Sequence, residues 1–158
     1  MARDRGVEMA SDAVAEVLDE QRTVTLATIG PDGMPHLAAM WFVREGSGDD
    51  MTVLMWTYGT SQKAHNLRRD PRAAVMAEGG EAYDQLRGVC LDCEVEVVES
   101  EDLWPIGLAL FDKYMAPPGM TDEQREAGMG VLRKQAQKRV GLRMRVVRAR
   151  SWDHRKLG

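Results

Sequence analysis

The chain has 158 residues, 44% hydrophobic and 29% charged, which is enough for one domain with a core and too apolar for a disordered segment. Lys and Arg number 21 against 25 Asp and Glu, and the resulting −4 argues against a general binder of nucleic acid or anionic membranes. No apolar run is long enough to cross a bilayer, and Arg3, Asp4, Arg5 and Glu8 break up any secretory h-region, so a single domain over 1–158 in the cytoplasm is expected.

In chain order, Ser11 can cap a short helix that carries Val14, Val17 and Leu18 at helical spacing. Val24 and Leu26 alternate with Thr23 and Thr25, which predicts a strand over 22–29. Pro31-Asp32-Gly33 is a turn, because Pro presets φ and Gly accepts a positive one. A second strand is expected over 35–43, a loop over 45–50 and a third strand over 51–57. A short helix follows through Ala64, Leu67 and Arg68, and Asp70-Pro71 ends it. The fourth strand is expected over 72–77, before a loop at Gly79-Gly80. In the fifth, Val89, Leu91, Cys93, Val95 and Val97 share one face, while Cys90, Asp92, Glu94 and Glu96 share a wet or interfacial one. A helix over 100–114 takes Ser100 as its cap and tolerates Pro105 in its first turns. After the break at Pro117-Pro118-Gly119, Thr121 and Gln124 have capping-box spacing and open a helix to about Lys138. Val140, Leu142, Met144 and Val146 then alternate with Arg143 and Arg145 in the last strand. The fold class that follows is mainly β with helices (α+β), a six-stranded antiparallel barrel, closed or nearly so. There is no βαβ alternation and no Gly-x-Gly-x-x-Gly, which argues against a Rossmann domain.

The stretch from Met55 to Lys63 is a strand end, a Gly turn and a helix start. Free N–H groups and the positive dipole end suit a phosphate there, Ser61 adds a hydroxyl and Lys63 a charge, and Trp56 and Tyr58 bring aromatic surface. The same residues also read as a helix cap beside a solvated Lys. Arg68, Arg69 and Arg72 read as an anion cluster or as a solvated face paired with Asp70. His36 and His65 are each a catalyst or a structural hydrogen-bonder. Cys90 and Cys93 stand three apart, facing opposite sides of a strand, and no second Cys/His pair completes a zinc site, so no metal is expected.

Four segments carry a resemblance. The run Thr23-Val-Thr-Leu-Ala-Thr-Ile-Gly-Pro-Asp-Gly-Met-Pro-His36 resembles the opening hairpin of the flavin-binding split-barrel superfamily, that of pyridoxamine 5′-phosphate oxidase. Thr57-Tyr-Gly-Thr-Ser-Gln-Lys-Ala-His-Asn-Leu-Arg-Arg-Asp-Pro-Arg-Ala73 is similar to its phosphate-binding segment, and Arg87-Gly-Val-Cys-Leu-Asp-Cys-Glu-Val-Glu96 to the following strand. Ser151-Trp-Asp-His-Arg-Lys-Leu-Gly158 resembles the tail of one actinobacterial branch. The superfamily contains FMN oxidases and reductases that use the deazaflavin F420, and this chain is more similar to the latter. The resemblance implies a split β-barrel of the FMN-binding type that works as a homodimer. It implies that Ser61 and Lys63, with Gln62 between them, hold the cofactor phosphate. Ala39, Met40 and Trp41 would line the ring, and Trp56, Thr57 and Tyr58 would flank the cofactor. Leu86, Arg87 and Gly88 would reach it across the dimer. Gln62 stands where the true oxidases carry Arg, and the tail lacks their Arg-x-His, so vitamin B6 oxidation is not expected. The expected function is an F420-dependent reductase acting on a small organic substrate, with no side chain named as acid or base. The alternatives are an FMN-dependent oxidoreductase and a non-catalytic flavin- or tetrapyrrole-binding module.

Overall fold

A computed structural model describes residues 6–157, so the polar run Arg3-Asp4-Arg5 and the last residue of the tail lie outside the described residues. Helix α1 (Ser11–Glu20) buries Val14, Val17 and Leu18 at helical spacing. Its N-cap is Ala10 rather than Ser11, and no side chain caps it. Strands β1 (Val24–Ile29) and β2 (Pro35–Met40) form the predicted hairpin, with Gly33 at φ +84° in the turn.

The expected second strand over 35–43 breaks at Trp41 and Phe42. Strand β3 (Val43–Glu45) resumes after them and pairs with β4 (Thr52–Tyr58) instead. The remaining elements are α2 (Gln62–Arg69), β5 (Arg72–Gly79), β6 (Arg87–Val98), α3 (Leu103–Tyr114), α4 (Asp122–Ala136) and β7 (Arg139–Asp153). The described residues thus form seven strands, not six, in one sheet of order β2-β1-β5-β6-β7-β4-β3. Every neighbouring pair is antiparallel. The two edge strands are joined by Trp41 and Phe42 alone, a span of roughly 11 Å at most. The sheet therefore has to curl until its edges nearly meet, which makes a barrel split along one seam. Leu18, Leu26, Phe42, Met55, Leu91, Leu142 and Met144 fill it completely buried.

The seam is held by the end of α3. Phe42 N–H donates to the Tyr114 hydroxyl at 3.0 Å, and that hydroxyl lies 2.9 Å from Phe42 O and 3.0 Å from Arg22 O. Lys113 Nζ donates to Phe42 O at 2.9 Å. These bonds satisfy backbone groups that have no ladder partner where the chain crosses between edges.

Three boundaries differ from the sequence-based expectation. Ser100 does not cap α3; it sits at φ +58° in a 3₁₀ turn, and the helix begins at Leu103. Helix α4 has the predicted capping box, with Gln124 N–H on Thr121 Oγ1 at 3.2 Å and Thr121 N–H on Gln124 Oε1 at 2.9 Å, but it ends at Ala136. Strand β7 continues to Asp153 because the long β6 offers a pairing edge as far as Arg87. The register steps from Cys93↔Val146 to Asp92↔Arg148, leaving Val147 as an extra residue. That bulge shifts the alternation, which is why the sequence periodicity stops at Val146.

Candidate functional site

The strand β4, the turn 58–61 and helix α2 form one continuous device. Ser61 N–H bonds Tyr58 O at 3.0 Å and closes the turn. Ser61 Oγ accepts from Ala64 N–H at 3.3 Å as the N-cap of α2, and from buried Thr57 Oγ1 at 3.3 Å. Gln62 Nε2 donates to Asn66 Oδ1 at 2.8 Å, and the fully buried Asn66 donates to Thr28 Oγ1 at 3.0 Å. Ser61 and Gln62 thus spend these groups fixing α2 against β1. Lys63, next along, makes no hydrogen bond or ion pair among the described residues and lines a cleft.

The cleft has a volume of about 590 Å³. Ala39, Met40 and Trp41 line one side, Trp56, Thr57, Tyr58 and Lys63 another. Helices α3 and α4 add Leu110, Phe111, Met115, Leu132 and Gln135, and β7 adds Arg139. The structure therefore brings Ala39, Met40, Trp41, Trp56, Thr57, Tyr58 and Lys63 together. Ser61 and Gln62 stand behind them in α2. Arg87 lies apart, at the start of β6 opposite Asp153, and its guanidinium pairs with Glu20 of α1.

Trp41 is 52% exposed, and it stacks on Tyr114 with centroids 4.5 Å apart and planes 3° from parallel. Burial pushes the Tyr114 phenol above its ordinary pKa, against the hydrogen bond to Phe42 and the charge of Arg22. The guanidinium of Arg139 lies 4.0 Å from the Tyr58 ring centroid and 5.0 Å from that of Trp56. Burial, and then the like charge of Arg139, hold the Lys63 ammonium below its ordinary pKa. Arg139 escaped the sequence reading because it falls between the predicted helix and the last strand. Its place depends on the pairing Tyr58↔Arg139, a contact across some eighty positions.

The three candidate arginines are occupied elsewhere. Arg68 bonds Gly59 O and Glu99, Arg69 bonds Ile29 O and Asn66, and Arg72 pairs with Asp70. His65 is exposed on α2, and His36, opposite Thr28 on β2, does not line the cleft. Cys90 and Cys93 are free thiols, with buried Cys93 pushed up to about 12 mainly by desolvation. No cluster of three His, Cys, Asp or Glu among the described residues could hold a metal.

Aromatic and apolar walls, two unpaired cations and no acidic lining residue suit a planar group that carries an oxyanion. A curled antiparallel sheet with such a cleft beside its seam defines the class, a split-barrel protein. The chain belongs to the pyridoxamine 5′-phosphate oxidase family, whose pattern matches residues 10–153. No curated protein matches it. Among solved structures, a conserved hypothetical protein of Mycobacterium tuberculosis is 41% identical, with TM-score 0.85 over all of this chain and 93% of that one. An F420 reductase is 21% identical, with TM-score 0.63 over 89% and 98% of the two chains. The heme storage protein HutZ of Vibrio cholerae is 18% identical, with TM-score 0.66 over 89% and 93%. At those two lower identities the likeness is one of fold.

Proposed function

We propose that the protein is an oxidoreductase whose cleft takes the deazaflavin F420 and serves hydride transfer between that cofactor and a small organic substrate. The observation that carries this reading is the unpaired Lys63 facing the cleft walled by Trp41, Trp56 and Tyr58. When bound, the cofactor supplies the hydride chemistry. The chain's own residues bind and orient: Lys63 offers a point charge to an oxyanion, Trp56 and Tyr58 offer ring faces, and Ala39 keeps one wall low. Thr57 and Ser61 hold the turn that aims Lys63. Family membership supports the oxidoreductase class, and Gln62 in place of Arg speaks against vitamin B6 oxidation.

A second reading, FMN in the same cleft, is favoured by one observation. Lys63 and Arg139 are two cations, a better match for a dianionic phosphomonoester than for a monoanionic diester. Fluorescence titration with both cofactors separates the readings. Tight binding of F420 by a colourless protein supports the first; a protein that purifies yellow supports the second. Binding without turnover across a broad substrate panel would point to a carrier module instead.

The reading includes a homodimer, supported by exposed apolar residues on the outer sheet face, and a cytoplasmic setting, which suits two free thiols. No helix among the described residues is long and apolar enough to cross a membrane.

A further inference from the structure

Arg139 opens β7 directly across from Tyr58 at the end of β4. Two aromatic rings hold its guanidinium, and its Nε–H is buried with no acceptor. Other half-buried arginines are treated differently: Arg44 bonds Asp19, Arg87 pairs with Glu20, and Arg143 pairs with Glu96. The cleft also holds Lys63, again without a carboxylate or carbonyl partner, and no Asp or Glu among the described residues lines it.

Two like charges facing one cleft repel, and a buried Nε–H without an acceptor is costly. Both costs are offset when an anion lies between the two groups. The guanidinium presents a planar fork that matches carboxylate or phosphate oxygens, and the ammonium adds a point charge from a different element. Arg139 also lines an adjoining groove of about 620 Å³ beside Gly59, Thr60 and Lys138, so it is reached from both sides.

We propose that Arg139 and Lys63 together hold one oxyanion of the bound ligand, a phosphate or a carboxylate, which makes Arg139 a binding residue of the cleft. This rests on the reading of the cleft as a ligand site, whichever cofactor it takes.

The test is thermal melting of wild type, Arg139→Gln, Arg139→Lys and Lys63→Gln in sodium phosphate and in sodium chloride at equal ionic strength. Phosphate should raise the wild-type Tm above its value in chloride, and Arg139→Gln and Lys63→Gln should each lose that rise. A wild type without a phosphate-specific rise overturns the proposal, as does an Arg139→Gln variant that keeps it. If Arg139→Gln does not fold, Arg139→Lys decides: a smaller rise supports the shared grip and an undiminished one overturns it. Titration with FMN and with riboflavin, which lacks the phosphate, then assigns the source. Weakening of FMN by about tenfold or more in Arg139→Gln, with riboflavin unchanged, makes the oxyanion the cofactor's. FMN binding unchanged beside a lost phosphate rise makes it the substrate's. If wild type binds neither FMN nor F420 and the rise remains, the cofactor reading falls and the anion site stands.

Discussion

Lys63 and Ser61 are two residues apart, yet they should respond to substitution in opposite ways. Lys63 has a pKa below its ordinary 10.5, first because of burial and then because of Arg139. The unfolded chain therefore binds more protons between the folded value and 10.5, so this group's contribution rises with pH across that window and is unfavourable below it. Lys63→Ala removes that penalty. The apo protein should stay within about 0.5 kcal/mol of wild type at neutral pH, while cofactor affinity falls roughly tenfold to a hundredfold. Raising salt should weaken wild type more than the variant, because screening acts on the charge. Titrations at two ionic strengths check this; an undiminished affinity would place the phosphate elsewhere. Ser61 instead caps α2 and receives Thr57 Oγ1, so Ser61→Ala should cost about 1 kcal/mol of stability and less affinity than Lys63→Ala. Tyr114 is a third case. Tyr114→Phe strips Phe42 N–H of its acceptor at the barrel seam and should cost about 1–3 kcal/mol in urea unfolding.

At the scale of elements, strand alternation, the first hairpin and one capping box were legible, while the caps of α1 and α3 and the long-range pairing were not. The alternating face of β6 and the capping box of α4 are local patterns, and both appear where the sequence places them. The break after Met40 is non-local: Phe42 remains buried, so the hydrophobic pattern runs on, but the strands on either side of it lie at opposite edges of the sheet. The end of β7 was hidden by the bulge at Val147, and the residues read as a tail from Ser151 are in fact strand as far as Asp153. Trp152 stands opposite Gly88, where a Cβ would come within 2.2 Å of its ring. Gly88→Ala should therefore cost about 1–3 kcal/mol, and Trp152→Leu in that background should recover part of it. Asp153 N–H bonds Val7 O at 2.9 Å, and its carboxylate takes three bonds from Arg155, two from the side chain and one from the backbone. Led by the side-chain bonds, these hold its pKa at about 2 against an ordinary 3.8. The stability it contributes is complete above 3.8 and is lost as pH falls toward 2. Asp153→Asn should lower Tm at pH 7 and flatten the acid limb of the stability curve; an equal Tm deficit at every pH would mean that packing, not charge, is what the carboxylate supplies.

At the scale of the molecule, the described residues leave an apolar face of the sheet bare. Across β2, β1 and β5 the register aligns Leu37, Ala27 and Ala74 in one row, and Ala39, Thr25 and Met76 in the next. Leu37 is 63% exposed and Met76 39%, and Trp41 follows at the end of β2. On β6 and β7 the outer face changes character, since Glu96 with Arg143 and Glu94 with Arg145 form a ladder of ion pairs. A small-residue apolar field bounded by charge is the pattern of an interface core and its rim, and a lone monomer rarely leaves such a patch in water. A two-fold arrangement would set the same strip against itself and place two equivalent clefts beside the contact, because Ala39 and Trp41 belong to both surfaces. Sequence could supply the alternation of β2 but not this neighbourhood, which exists only once β1 lies between β2 and β5. The proposed dimer should therefore scatter light as twice 17.7 kDa at micromolar concentration. Leu37→Glu puts an uncompensated charge on each side of a two-fold contact, where like charges meet, so it should give monomers that keep the fold. Its effect on cofactor affinity reports on the cleft. Monomers that bind as tightly as wild type would mean that each cleft is complete within one chain, and a wild-type protein that is itself monomeric and binds cofactor would rule the dimer out.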